Sequence, residues 1–230
     1  MSKIFQWREN VPLALPVIIG QLGHIVTSVA DSIMVGQLGV ISLAAVSLAG
    51  SITSVPLVFG IGVAYGLTPL VARAYGQKRW GKAYRLLKNS TLINLLTSVI
   101  MFLFAWLLFL FVQNTNQSIE VIEESKVYLI LIMISYIPFM LFLSGKQYLE
   151  GMGDTSTPMR ISLIGNLLNV LLNGLLIFGL FYFPVLGIIG AGIATIIARI
   201  IMAIHVWYFV FEKKNNYKIV QDNVMISIRA

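Results

Sequence analysis

Six long segments of the chain contain few or no charged side chains, and this pattern constrains the fold more than any other feature of the sequence. The segments cover residues 12–36, 45–72, 89–112, 126–149, 160–183 and 187–211. Each has the roughly 20 residues that an α-helix needs to cross a hydrocarbon core about 30 Å thick, and a helix satisfies its own backbone hydrogen bonds in lipid. The pattern therefore predicts an all-α, polytopic membrane protein, with a six-helix transmembrane bundle in residues 1–211 and a polar, less regular tail at 212–230.

Composition also favours a lipid environment. Of the 230 residues, 58% are hydrophobic and 11% are charged, and a soluble domain could not cover so much apolar surface with so few polar groups. The first segment follows Lys3 and Arg8 but is longer than the core of a signal peptide, so we expect a retained helix. The absence of cysteine excludes disulfides, thiolate metal sites and cysteine catalysis.

The positive charges, which give the chain a net charge of +7, predict its orientation in the membrane. They cluster before the first segment, between the second and third, and after the sixth: Lys3, Arg8, Arg73, Lys78, Arg79, Lys82, Arg85, Lys88, Lys213, Lys214 and Lys218. Six crossings place these three regions on one side, which the positive-inside rule identifies as the cytoplasm, so the tail and both termini are expected there. Basic residues that flank membrane segments do not form a soluble base-reading surface, so no nucleic-acid partner is expected.

Two local features predict departures from six straight helices. Trp80, Tyr84 and Leu87 recur at helical spacing among the basic residues of 73–88, which predicts a short amphipathic helix at the membrane surface. Prolines lie inside the first, second and fourth segments: Pro16, Pro56, Pro69 and Pro138. Because each proline removes a backbone donor, kinks are expected at such positions.

The first segment carries a stripe of polar side chains at Gln21, His24, Ser28 and Asp31, whose spacing places them on one helical face. Such groups are costly in hydrocarbon, so the stripe should face the bundle interior. Asp31 would lie roughly 7.5 Å below the outer end of its helix. It is either a carboxylate that alternates between proton-bound or ion-bound and empty, or a structural group bonded to neighbouring helices. His24 lacks a second ligand at metal-binding spacing and is expected to be a packed side chain.

The fifth and sixth segments add further polar groups at depth. Asn166, Asn169 and Asn173 share one helical face, either as hydrogen-bonding contacts between helices or as the lining of a wet cavity. Arg199 would lie about 18 Å deep, too far from Asp31 for a direct ion pair. The carbonyl oxygens of Asn169 and Asn173 are its expected partners, and snorkelling of its charge toward the inner surface is the alternative.

Sequence motifs of enzymes are missing. The chain contains no HExxH, no GxSxG, no Walker lysine loop and no GxGxxG after a strand, and no nucleophile with a base at matching depth. The glycines Gly187, Gly190 and Gly192 are interpreted as helix-packing positions. We therefore expect a protein that is not an enzyme.

Four segments, in order, resemble the multidrug and toxic compound extrusion (MATE) transporters in their bacterial branch. They read LALPVIIGQLGHIVTSVADSIMVGQLGVISLAAVSLA at 13–49, GVAYGLTPLVARAYGQKR at 62–79, QYLEGMGDTSTPM at 147–159 and GNLLNVLLNGLLIFG at 165–179. The resemblance implies a multi-pass protein of the bacterial inner membrane that exports organic, often cationic, drugs or metabolites by alternating access, driven by Na⁺ or H⁺. No cofactor other than such an ion is implied.

The resemblance also implies roles for particular residues. Asp31 matches the first-helix aspartate implicated in cation coupling, Asn169 and Asn173 match paired polar positions of the fifth helix, and Thr195 matches a sixth-helix hydroxyl. Na⁺, where it is the coupling ion, would lie at Asp31, Asn169 and Asn173. The accessory candidates are Gln21, His24, Tyr136, Asn166 and Arg199.

Members of this family have about twelve helices in two related lobes, whereas this sequence matches one lobe. We therefore expect the N-terminal lobe of such an exporter, in contact with the bilayer, small organic substrates and a second six-helix lobe or another copy of itself. Two alternatives remain open: a lipid-type flippase of the same broad superfamily, and a truncated membrane fragment or scaffold that does not transport.

Overall fold

The computed structural model describes residues 3–113, 117–182 and 184–229, with side chains at 11, 12 and within 14–213. In this part of the chain the α-helices are α1 Lys3–Gly36, α2 Val40–Tyr65, α3 Leu67–Gly76, α4 Trp80–Val112, α5 Ile119–Ile134, α6 Tyr136–Gly151, α7 Ser156–Phe178 and α8 Gly187–Arg229. A short 3₁₀-helix, Leu180–Tyr182, follows α7. Short turns join α1 to α2, α3 to α4 and α6 to α7, and successive spans run in opposite directions.

These helices form six spans that are long and apolar enough to cross a membrane. The spans are Ala14–Gly36, Val40–Gly76, Trp80–Val112, Ile119–Gly151, Ser156–Phe178 and Gly187–Lys213. The predicted all-α bundle of six transmembrane helices is confirmed. Several helix ends differ from the sequence-based boundaries: the fifth span ends at Phe178, whereas the predicted segment continued to residue 183, which lies outside the described residues.

Two predictions about the polar segments were wrong. Residues 73–88 do not form a separate surface helix, because α3 ends at Gly76 and Trp80 begins the long α4. The ring of Trp80 instead packs edge-on against Tyr75, with 4.6 Å between ring centroids, and closes the turn between the two helices. The tail is also not irregular, because α8 continues without a break to Arg229.

Two of the prolines explain why the second and fourth spans are each divided into two helices. A proline has no N–H to donate to the carbonyl four residues earlier. Pro69 would pair with Tyr65, where α2 ends, and Pro138 would pair with Ile134, where α5 ends. Pro16 and Pro56 lie inside continuous helices, so the predicted kinks become helix breaks at two positions only.

The fourth span forms the centre of the bundle. Every side chain from Ser144 to Leu149 on α6 is buried, and α6 packs against α3, α4 and α8. Ser144 Oγ in this helix accepts a hydrogen bond of 2.7 Å from Asn94 Nδ2 on α4, whereas the buried Nε2 of Gln147 has no partner among the described residues. Lys146 forms an ion pair with Glu150 one turn later, with 3.8 Å between Nζ and Oε1. The helix most enclosed by protein therefore also carries charge.

The first span lies at the edge of the bundle and packs mainly against α7. Close approach requires small residues there: a Cβ added at Gly23 would lie 2.6 Å from Leu163. The junction between α7 and α8 is tighter, because a Cβ at Gly190 would lie 2.6 Å from the carbonyl carbon and oxygen of Leu176. Gly190 therefore packs as the sequence suggested.

We define the end of the bundle that carries the 77–79 turn, the 152–155 turn and Lys213 as the basic end. At the basic end, Asp154 connects the start of α7 to α8. Its Oδ1 accepts a hydrogen bond of 3.0 Å from the backbone N–H of Thr157, and its Oδ2 accepts one of 2.9 Å from the Thr157 hydroxyl. Nζ of Lys213 donates to the same Oδ2. Partial burial alone would raise the pKa of Asp154, but the hydrogen bonds from Lys213 and Thr157 outweigh it and hold the pKa below its usual range.

Gly190→Ala should lower the free energy of unfolding by about 1–3 kcal/mol, because the new methyl group meets backbone atoms that cannot move aside. Gly62→Ala is the matched control, since its Cβ would have no neighbour within 4 Å. That control should be neutral or stabilise by up to about 1 kcal/mol. Denaturation of the purified chain in detergent measures both, and equal effects would contradict the tight junction between α7 and α8.

Acidification should weaken the Asp154 contact in a defined pH range. Because the folded pKa is lowered, the contribution to stability is complete above the unfolded pKa of about 3.9 and is lost as pH falls through the folded pKa. At neutral pH, Asp154→Asn should therefore lower the free energy of unfolding by on the order of 1 kcal/mol. The thermal unfolding temperature should fall accordingly.

The difference between wild type and Asp154→Asn should shrink below about pH 4. Thermal unfolding across pH, with the exposed Glu123→Gln as control, measures this. A difference that stays constant down to pH 3 would contradict the lowered pKa.

Candidate functional site

A cavity of 240 Å³ lies inside the bundle, between the first, second, fourth, fifth and sixth spans. Its walls include most of the polar residues singled out in the sequence: His24, Asp31, Tyr136, Asn166, Asn169, Thr195 and Arg199. Asp31 is the only carboxylate among the described residues that line it. His24, Ser28 and Asp31 of α1 therefore face this cavity, where Asp31 is partly buried and His24 and Ser28 are exposed.

Four side chains from three spans form a chain of hydrogen bonds at one end of this cavity. Asp31 Oδ1 accepts a bond of 2.6 Å from Nδ2 of Asn173. The same Nδ2 lies 3.5 Å from Oδ1 of Asn169, and Nδ2 of Asn169 donates to Oγ1 of Thr195 at 3.4 Å. Asn173 and Asn169 are 1% and 6% exposed. These are the four residues that the family resemblance brought together, and we call them the Asp31 network.

Parallel helices with the same periodicity explain how this network forms. Successive spans alternate in direction, so α1 and α7 run the same way, and both place polar residues on the face toward the partner. Asp31 meets Asn173, and two turns earlier Asn166 lies against α1, where its Nδ2 would be 3.3 Å from a Cβ at Gly23. A displacement of α1 by one turn toward the C-terminal end of α7 would leave Asp31 level with the apolar side chains of Leu176 and Ile177.

The Asp31 network has an excess of oxygen acceptors. Oδ1 of Asn173 is buried and has no hydrogen-bond partner among the described residues. Asp31 adds a carboxylate, and Thr195 and Asn169 add a hydroxyl and an amide oxygen. Such a set suits a proton or a hard cation that prefers oxygen ligands. The described part of the chain has no group of three His, Cys, Asp or Glu side chains that would bind a transition metal.

Arg199 has partners other than the predicted ones. Nη1 donates to Oγ of Ser135 at 2.5 Å, and the guanidinium stacks on the ring of Phe139 at 4.6 Å from its centroid. The carbonyl oxygens of Asn169 and Asn173 are therefore not its hydrogen-bond partners, and the side chain lines the cavity instead of snorkelling. The reason is the break before Pro138, which places Ser135 between two helices, facing α8.

The remaining accessory candidates separate into two cavities. Tyr136 closes the first cavity and donates from its hydroxyl to the carbonyl of Thr53 at 3.1 Å. Gln21 lines a second cavity of 150 Å³ nearer the basic end, where its Nε2 donates to the hydroxyl of Tyr65 at 2.9 Å. His24 and Asn166 line both cavities. The two spaces are therefore adjacent, with His24 between them.

Sequence reasoning overlooked the buried ion pair of Lys146 and Glu150, and Lys146 lines the second cavity. A signal was present, because these opposite charges lie four residues apart at the end of an apolar segment, the spacing of an ion pair on one helical face. The roles of Ser135 and Thr53 had no comparable signal, since both depend on where a break or a crossing places a common side chain.

Comparison with known proteins identifies relatives over most of the chain. The sequence profile of the MatE family matches residues 16–175. The multidrug resistance protein NorM of Vibrio cholerae is 30% identical over 206 residues, which are 89% of this chain and 45% of that protein. A probable multidrug resistance protein NorM of Oceanobacillus iheyensis is 33% identical over 185 residues, which are 80% of this chain and 41% of that protein.

Among solved structures, a MOP superfamily transporter from Pyrococcus furiosus matches with a TM-score of 0.79 at 25% identity. The match covers 90% of this chain and 45% of that chain. This chain thus spans about half the length of the relatives that it matches.

A double-mutant cycle should detect the bond between Asp31 and Asn173. Asn173→Ala leaves the carboxylate without the donor seen here, whereas the same change in an Asp31→Ala background removes only the longer contact with Asn169. We expect a coupling free energy of about 1–2 kcal/mol from chemical denaturation in detergent. Asn89→Ala, at an exposed position on α4, should show no coupling with Asp31→Ala. Additive effects at Asp31 and Asn173 would contradict the observed contact.

Proposed function

Since this chain belongs to the MatE family, we propose that it forms the N-terminal six-helix lobe of a multidrug exporter driven by Na⁺ or H⁺. One observation carries the proposal: Asp31, the only carboxylate among the described residues that line the 240 Å³ cavity, is hydrogen-bonded to Asn173 beside an unpartnered buried oxygen. The names of the relatives, which are multidrug resistance proteins, support efflux of organic molecules as the transport reaction.

The coupling ion would lower the free-energy cost of the ionised Asp31 carboxylate. An ionised carboxylate with one amide donor in apolar surroundings is unfavourable, and a bound proton or Na⁺ removes that cost. Occupied Asp31 therefore favours a conformation in which the site is closed and dry, whereas empty Asp31 favours one in which water reaches it. Because the two conformations bind the ion with different affinity, an ion gradient can drive their interconversion.

The position of α1 would allow this helix to bend when an ion binds to Asp31. This helix packs along one side, mainly against α7, and exposes large apolar side chains such as Val26 and Ile33 on its outer face. Pro12 and Pro16 lie in its first half and omit two backbone hydrogen bonds. A change in the contact between Asp31 and Asn173 would thus alter the bend of a helix that is held on one face, and alternating access would follow from that bend.

The outer surface of the lobe indicates its surroundings. Its exposed apolar side chains require lipid or another membrane segment, so the proposed partners are the bilayer and a second six-helix lobe or another copy of this chain. The basic end would face the cytoplasm together with both termini, because basic side chains such as Lys82 and Arg85 are exposed there.

A lipid-type flippase and a non-transporting scaffold are the alternatives. Several unpaired basic side chains in the cavities would favour the flippase. Lys146 and Arg199 line the two cavities, but Lys146 is paired with Glu150. The structure thus provides one cation without a paired acid there, which favours export of small molecules over lipid transport.

Efflux of rhodamine 123, a cationic fluorescent dye, from proteoliposomes that contain the full chain tests the proposal. Imposed Na⁺ and H⁺ gradients should each be compared with no gradient. Wild type should export the dye under one of the two gradients, and Asp31→Asn should reduce the gradient-driven rate about tenfold or more because it cannot change charge.

Glu123→Gln is the matched control, since it removes an exposed carboxylate outside the cavity and should leave the rate unchanged. If the folded wild type exports nothing under either gradient, this chain alone is not an exporter. If Asp31→Asn exports as fast as wild type, Asp31 is not the coupling group.

A further inference from the structure

Arg199 presents a positive charge to the 240 Å³ cavity without an acidic partner among the described residues. The ion pairs in the described part of the chain are those of Lys146 with Glu150 and Lys213 with Asp154. Arg199 donates one hydrogen bond, to Ser135, and stacks on Phe139. A guanidinium has five N–H donors, so most of its hydrogen-bonding capacity remains unused by the protein contacts seen here.

An unpaired cation at this depth is costly, and the protein offsets only part of the cost. Charged groups within membrane segments are unfavourable by a few kcal/mol even when neighbouring groups adapt. The stack on Phe139 recovers some of this, because the ring face is negative. A neutral or paired residue would avoid the cost entirely. The arrangement therefore suggests that an acidic group from outside the chain occupies the remaining donors.

Asp31 is not that group. Thr195 on α8 lies level with Asn169 on α7, and Arg199 lies one turn from Thr195 along α8. Asp31 lies level with Asn173, which is one turn from Asn169 in the opposite direction. The two charges are thus separated by on the order of 10 Å along the helix axes. No salt bridge joins them in the described structure. The cavity consequently has a negative group near one end and a positive group near the other.

We propose that Arg199 is an anion-binding subsite for the transported molecule, and that it binds a carboxylate or phosphate group. The planar fork of the guanidinium can bind two oxygens of such a group at once. A cationic part of the same molecule faces Asp31, and its apolar body contacts apolar side chains of the cavity wall such as Ile132, Phe139 and Met202. The preferred substrates are therefore zwitterionic amphiphiles. Their transport rests on the proposed export function, whereas their binding does not.

A matched pair of dyes tests this specificity. Rhodamine 123 is the methyl ester of rhodamine 110, so the pair differs only in whether a carboxylate is free. Fluorescence anisotropy with the purified full chain in phosphatidylcholine nanodiscs gives both dissociation constants without requiring transport. Wild type should bind rhodamine 110 more tightly than rhodamine 123. Arg199→Gln should weaken binding of rhodamine 110 about tenfold and change that of rhodamine 123 less than about twofold.

Two further variants keep the result interpretable. Arg160→Gln removes an exposed arginine that does not line either cavity and should leave both dissociation constants unchanged. Arg199→Lys retains the charge but not the planar fork, so its affinity for rhodamine 110 should lie between those of wild type and Arg199→Gln. Circular dichroism and size-exclusion chromatography establish that each variant is folded, and Arg199→Lys provides the comparison if Arg199→Gln is not.

Three outcomes would overturn the proposal. The first is that Arg199→Gln weakens the binding of both dyes equally, which would identify Arg199 as a structural group. The second is that this variant binds rhodamine 123 more tightly than wild type and keeps its affinity for rhodamine 110, which would identify Arg199 as a counter-charge of Asp31. The third is binding of neither dye by the folded wild type. Export of rhodamine 123 is measured separately, so failure of the subsite and failure of the exporter are distinguishable.

The source of the acidic group is a separate question that the same assay answers. Nanodiscs with an added fraction of phosphatidylglycerol present an anionic lipid headgroup to the protein. If that lipid lowers the affinity for rhodamine 110 in wild type but not in Arg199→Gln, a lipid phosphate binds at Arg199. If the affinity is unchanged, the subsite serves small molecules with an acidic group.

Discussion

The need to satisfy polar groups in a hydrocarbon environment determines most of this structure. Within the spans, small hydroxyl side chains donate to the carbonyl of the preceding turn, as Ser32 does to Ser28 and Thr97 to Ile93. These groups are satisfied inside their own helix and place no condition on the fold. Asp31 has no such local solution, because a carboxylate accepts hydrogen bonds and needs a donor from another helix.

That requirement fixes how α1 is held. Asn173 provides the donor, and it must lie level with Asp31, which sets the position of α1 along α7. Gly23 permits the close approach that this pairing needs. Since α1 packs mainly against α7 and lies at the edge of the bundle, this contact with Asn173 and the hydrogen bond from Gln21 to Tyr65 on α2 are the polar contacts among the described residues that place it. The contact with Asn173 is the one that a coupling ion would alter.

Sequence reasoning succeeded where periodicity and local chemistry decide the outcome. Charge-free segments identified six spans, and the spacing of Asp31, Asn169 and Asn173 identified which helical faces turn inward. It failed where the partner lies on another helix whose break is not visible in the pattern. Arg199 pairs with Ser135 because α5 ends before Pro138, and depth along straight helices could not reveal that contact. Residues 73–88 were misassigned because an amphipathic spacing also fits the first turns of a long helix.

The two cations that line the cavities, Lys146 and Arg199, show why a shared cavity matters for coupling. Lys146 is neutralised by Glu150 on its own helix, so its charge contributes little elsewhere. Arg199 and Asp31 share one cavity at a separation of on the order of 10 Å, where opposite charges attract by about 1–2 kcal/mol at an effective dielectric constant near 20. A cation bound at Asp31 removes that attraction and leaves the charge of Arg199 free for an acidic group. On the proposed mechanism, the ion would therefore assist binding of the acidic part of a substrate while it competes with the cationic part, so substrate charge would determine whether ion and substrate bind together or in turn.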